Sequence, residues 1–142
     1  MITINPYLNF LENTEEAFNF YKSVFGGEFI GEIHRFKGTP GSENMSEADQ
    51  QKIMHIALPI GNGTILMGTD ALESFGHKIV AGNNFYISIN TDSKEEADKI
   101  YNALSVGGKI EMPIQDVFWG DYFGMFADKF GIQWMVSYSK KK

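Results

Sequence analysis

The sequence predicts an α+β fold: paired βαβββ modules forming an incomplete barrel-like sheet around a cleft. Two observations predict it. A helix signature recurs eighty positions later in the chain, and runs of alternating apolar and polar residues flank both copies.

The first helix is announced by Asn13 three residues before Glu16, the spacing of a capping box that satisfies N–H groups at a helix start. Ala17, Phe20, Tyr21, Val24 and Phe25 follow as an apolar stripe at helical period, and Gly26-Gly27 ends it. The second copy has Ser93 with Glu96, then Ala97, Ile100, Tyr101 and Leu104, closed by Gly107-Gly108. Glu15-Glu16-Ala17 returns as Glu95-Glu96-Ala97.

Strands are expected at 7–10, 28–36, 53–60 and 64–69 in the first module, the last two joined by a Gly61-Asn62-Gly63 hairpin turn. The second module is expected to place them at 85–89, 109–115, 121–127 and 132–138. Segments 37–51 and 70–83, rich in turn formers, read as loops. The organisation is a single domain over 1–142: module one at about 1–70, a linker at about 71–83 and module two at about 84–138. One helix covers one face of an open sheet, so the modules are expected to pair, their inner faces lining the cleft.

Composition narrows the function classes. Hydrophobic residues are 43% and charged residues 21%, a globular balance. Net charge is −6, which argues against nucleic acid as a partner, because phosphate neutralisation needs a basic face. Without cysteine there is no disulfide, thiolate nucleophile or thiolate metal site. No signal-peptide pattern or long apolar run is present, so a cytoplasmic protein without membrane association is expected.

Four stretches carry a family resemblance: Asn5-Pro6-Tyr7-Leu8-Asn9-Phe10, the run from Glu15 to Tyr21, Phe25-Gly26-Gly27, and the run from Tyr122 to Trp134. Together they resemble the PhnB-like branch of the glyoxalase/bleomycin-resistance (vicinal oxygen chelate) superfamily. The resemblance implies paired βαβββ modules, a homodimer, and a scaffold shared by isomerases, extradiol dioxygenases, antibiotic-modifying enzymes and ligand-sequestering proteins. Relatives labelled ubiquinone-pathway methyltransferases imply a Gly-rich loop after the first strand, and this sequence has none there.

Metal-dependent members hold their ion with one His or Glu from each of four strand positions, which here correspond to Asn5, Met67, Asn84 and Met135. None is His, Asp or Glu, so no metal and no cofactor are expected. A shifted correspondence would admit Glu12, Asp70 or Asp92, whose simpler role is capping or a solvated turn.

Alternation and family position together nominate the inner face: Asn5, Tyr7, Asn9, His55, Met67, Asn84, Tyr86, Gln133 and Met135. Ser88 belongs to the same set, and His34 and Arg35 are candidates to line the sheet, whereas His77 reads as a loop residue. The alternative is that Tyr7, Tyr86, Met67 and Met135 complete a closed core. Trp119, at a Gly-flanked turn, either closes the cleft or forms a dimer contact. Trp134, alternating with Ile132 and Val136, reads as core. A surface of amides, phenols and thioethers suits a mostly apolar ligand with a few oriented hydrogen bonds. The expectation is a metal-independent small-molecule-binding homodimer for an aromatic or amphipathic ligand. The alternatives are a divalent-metal-dependent lyase, isomerase or dioxygenase, and a protein-interaction module.

Overall fold

The computed structural model describes residues 1–140. They form two compact units, Met1–Val80 and a second from Ala81 onward. In the first, β1 (Tyr7–Phe10), α1 (Thr14–Phe25), β2 (His34–Arg35), α2 (Glu47–Gln50), β3 (Ile53–Ile60) and β4 (Thr64–Asp70) build a sheet of order β1-β4-β3-β2. In the second, β5 (Ile87–Thr91), α3 (Lys94–Leu104), β6 (Lys109–Asp116), β7 (Asp121–Ala127) and β8 (Gln133–Ser139) build one of order β5-β8-β7-β6. Each unit pairs its first and last strands in parallel and its remaining neighbours antiparallel. The chain is therefore α+β with the βαβββ unit twice, as the repeat predicts, and each sheet is open rather than closed into a barrel.

In each unit the long helix covers one sheet face. A Cβ on Gly68 of β4 would sit 2.5 Å from the Phe18 ring, so the glycine lets α1 lie directly on the strand. The registers Leu8↔Gly68 and Ile56↔Gly68 put Leu8 and Ile56 on that same covered face, and all three flank the buried Ala17, Phe18 and Tyr21. In the second unit a Cβ on Gly124 would meet Tyr101 of α3 at 2.7 Å, and Phe126, Trp134 and Val136 are fully buried on that side. Each large apolar side chain removed from water in this way contributes about 1.5–3 kcal/mol.

Several local expectations are corrected. The α1 stripe is rotated: Thr14, Ala17, Phe18 and Tyr21 are buried, whereas Phe20, Val24 and Phe25 are half-buried. Asn13 stands at the N-cap without a side-chain cap; instead Asp70 accepts from Thr14 N at 3.1 Å and Thr14 Oγ1 at 2.6 Å. The Ser93–Glu96 pair does cap α3, with Ser93 Oγ accepting from Glu96 N at 3.0 Å and Glu96 reaching back to Asp92 N at 3.0 Å.

The strand expected over 28–36 shrinks to His34–Arg35. Gly31, at φ 64, leaves the extended region, and the β2–β3 pairing itself shifts register between His34 and Arg35. Arg35 is engaged on the helix side, where it donates to Glu15 of α1 at 2.8 Å and to the Gln51 carbonyl at 2.8 Å. The segments expected as loops contain α2 and two 3₁₀ turns, Ser42–Asn44 and Glu73–Phe75. They are tied together by Asp49, which pairs with Lys52 at 2.9 Å and accepts from Ser74 Oγ at 2.7 Å.

Candidate functional site

The face of each sheet that carries no long helix holds most of the nominated residues. In the first unit the register sets Tyr7 beside Met67 and Met67 beside Ala57, with Asn9 next along β1 on the same side. Tyr7 and His55 share a hydrogen bond between the phenol oxygen and Nδ1 at 3.2 Å, their rings 5.8 Å apart. His34 pairs directly with His55 across β2 and β3, ring centroids 6.5 Å apart. The result is a row of phenol, thioether and two imidazoles. Tyr7, Asn9 and His34 are exposed and His55 and Met67 half-buried, so in this unit the face is not a closed core. Partial burial pushes the Tyr7 phenol above its ordinary pKa.

In the second unit, parallel pairing of β5 with β8 aligns Ser88 with Met135 and Asn90 with Ser137, and β7 adds Met125 beside Met135. Ser137 Oγ and Asn90 Oδ1 are hydrogen-bonded at 2.8 Å. At the other end of this face lies a denser polar group. Glu111 of β6 accepts from the Tyr86 phenol on one oxygen and from Gln133 Nε2 at 2.7 Å on the other. Gln133 is buried, yet among the described residues its Oε1 has no hydrogen-bond partner. Chiefly the bond to Glu111, and secondarily desolvation, raise the Tyr86 pKa.

Three nominated residues stand outside these groups. Asn5 Oδ1 accepts from Ile65 N at 2.9 Å and so is spent on fixing the lead-in to β1 against β4. Asn84 is exposed ahead of β5. Trp119, in the β6–β7 turn, donates from Nε1 to Asp121 Oδ2 at 3.1 Å and packs edge-on against Phe118 and Phe123, centroids 5.0 and 5.8 Å away. Asp121 thus orients the indole. Trp134 is core, its Nε1 bonded to buried Asp128 at 2.8 Å.

Comparison with known proteins fits this architecture. The family model described as Glyoxalase/Bleomycin resistance protein/Dioxygenase superfamily matches residues 3–136. The chain belongs to that superfamily. Protein YjdN of Escherichia coli is 32% identical over 147 aligned positions, covering 98% of this chain and 97% of its own. Protein PA1353 of Pseudomonas aeruginosa is 36% identical with a TM-score of 0.85 over 98% of both chains. A PhnB protein of Bacillus cereus, provisionally described as a 3-demethylubiquinone-9 3-methyltransferase, is 26% identical with a TM-score of 0.77, over 97% of this chain and 100% of its own.

The four positions that the resemblance assigns to the superfamily's metal carry a poor donor set. Asn5 has its amide oxygen on a backbone N–H, Met67 and Met135 offer thioethers, and Asn84 offers a neutral amide. That set carries no charge and does not fit the hard or borderline divalent ions that members of the superfamily hold. Among the described residues, no group of three or more His, Asp or Glu side chains is placed to hold a metal ion.

Sequence reasoning did not nominate Glu111. In β6 the register slips between Ile110 and Met112 and again between Met112 and Gln115. Those slips break the alternation by which its face would have been read.

Proposed function

We propose that this superfamily member binds a small aromatic or amphipathic molecule without a metal, as a homodimer in the cytoplasm. The observation that supports the reading is the make-up of the helix-free faces: accessible phenols, thioethers, amides and imidazoles where a buried apolar surface would serve stability alone. Methionine adapts to irregular ligand shapes and Tyr offers a flat face and a donor, a combination suited to orienting a mostly apolar molecule. Among the described residues no helix is long and apolar enough to cross a membrane. The methyltransferase description of the Bacillus cereus relative is not carried over, because β1 runs through Leu11-Glu12-Asn13 into α1 with no glycine-rich turn to receive a methyl donor.

Thermal-shift screening of aromatic metabolites, followed by calorimetry, tests the proposal; saturable binding is expected from chelator-treated protein, and its absence across the screen would sink the idea. Size measured by light scattering checks the dimer.

One observation favours a second reading, a divalent-metal-dependent lyase, isomerase or dioxygenase: the His34–His55 pair sets two imidazoles side by side. Two histidines are fewer than the three protein ligands usual at a catalytic zinc. Stoichiometric metal in protein purified without chelator, lost on His55→Ala, would replace the first reading with this one.

A further inference from the structure

Among the described residues, Glu111 has no cationic partner. Its two oxygens are held by the Tyr86 phenol and the Gln133 amide, and among the described residues it forms no ion pair. Among the described residues Lys109, two residues earlier on β6, forms no ion pair either. Beside it Gln133 is 7% exposed with Oε1 unpartnered. The orientation of that amide is fixed by its neighbour, because turning it over would set Oε1 against the carboxylate instead of Nε2. An exposed carboxylate, preorganised by two donors, therefore lies next to a buried acceptor left over from the same network. The carboxylate keeps lone pairs to spare and the amide oxygen has no donor, so both can accept from a further N–H.

We infer that Glu111, braced by Tyr86 and Gln133, anchors a positively charged N–H group of the bound molecule. This rests on the small-molecule-binding reading and narrows it to organic cations, an ammonium or amidinium on an apolar body. The body has a surface to lie on: Met125 and Met135, adjacent in the β7–β8 register, are half-buried on the same face as Gln133. Each Glu111 oxygen keeps a lone pair after receiving its protein donor, so the ligand adds to the network rather than displacing it. A carboxylate or phosphate ligand is disfavoured at this place by the same charge.

Benzylammonium, with benzyl alcohol as its neutral counterpart, serves as the probe, followed by NMR of the methionine methyls and side-chain amides at neutral pH. Benzylammonium is expected to shift the Met135 methyl and the Gln133 amide saturably, about ten-fold or more tighter than benzyl alcohol. Glu111→Gln is expected to abolish that preference while keeping benzyl alcohol binding, and Tyr86→Phe to reduce it in part. Circular dichroism checks that each variant folds. Equal affinity for the two probes, a preference that survives Glu111→Gln, or shifts confined to other residues would overturn the inference while leaving the small-molecule reading in place. No saturable shift with either probe, together with an empty thermal-shift screen, would overturn both.

Discussion

Asp70 at the end of β4 caps α1 through Thr14, a residue 56 positions earlier, and its second oxygen accepts from Ile53 N at 2.8 Å. One buried carboxylate thus joins the helix start to two strands. Hydrogen bonds to a charged acceptor are worth more than neutral ones, and a lost cap leaves N–H groups unpaired. Asp70→Ala is therefore expected to destabilise the protein by about 3 kcal/mol, read from urea unfolding. Asn13→Ala, with no cap bond to lose, is expected to change stability by less than about 0.5 kcal/mol. Equal effects of the two substitutions would contradict the assignment.

The two strand glycines under the helices make a second test. Gly68→Ala drives a methyl into the fully buried Phe18 ring, and Gly124→Ala drives one to 2.9 Å from the Ile114 backbone as well as into Tyr101. Each is expected to cost about 1–3 kcal/mol from overpacking. Gly41→Ala meets nothing within 4 Å but keeps a left-handed φ of 85, so its cost is backbone strain alone, about 1–2 kcal/mol. Thermal unfolding of the three variants separates the two mechanisms, because a second substitution, Phe18→Leu, is expected to relieve Gly68→Ala and not Gly41→Ala.

A pH effect follows from Tyr122, which donates to Asp98 of α3 at 2.5 Å. That bond to a carboxylate holds the phenol protonated and raises its pKa from about 10 to about 12. The protonated form is favoured by folding, so the contribution is complete below pH 10 and fades as pH rises towards 12. The stability difference between the parent and Tyr122→Phe is expected to be constant from neutral pH to about 9 and to shrink above 10. Denaturant midpoints measured across that range check the sign; a difference that grew with pH would be incompatible with it.

Residues of the helix-free faces should behave oppositely to those of the core. His55→Ala and Asn9→Ala are expected to leave stability within about 0.5 kcal/mol, since both side chains retain access to solvent. Ligand affinity, once a binder is in hand, is expected to fall with His55→Ala. Loss of fold with either substitution would assign these residues to the core instead.

Much of the architecture was legible because helix capping, helical period and glycine stops act within a few residues, and they repeat. Ser93–Glu96 is such a local device, and its reading matches the structure. Asn13 failed because the cap at α1 is supplied by a residue far along the chain. The register of β2 and β6 was illegible for a related reason: bulges are fixed by what the strand must reach across the sheet. Tyr7 and His55 were read by period-two alternation in regular strands, whereas Met135 was nominated by its family position. Glu111 lies where that regularity stops.

Parallel pairing of β1 with β4 has a consequence for synthesis. Tyr7 finds its register partner only at Met67, and Thr14 its cap only at Asp70. On a ribosome, which delivers the chain from the N-terminus, β1 and α1 must wait as solvated, unpaired segments until β4, with Asp70 lying 56 positions after Thr14, has emerged. The first unit therefore sets late and all together, its earliest-made residues among the last to find their places.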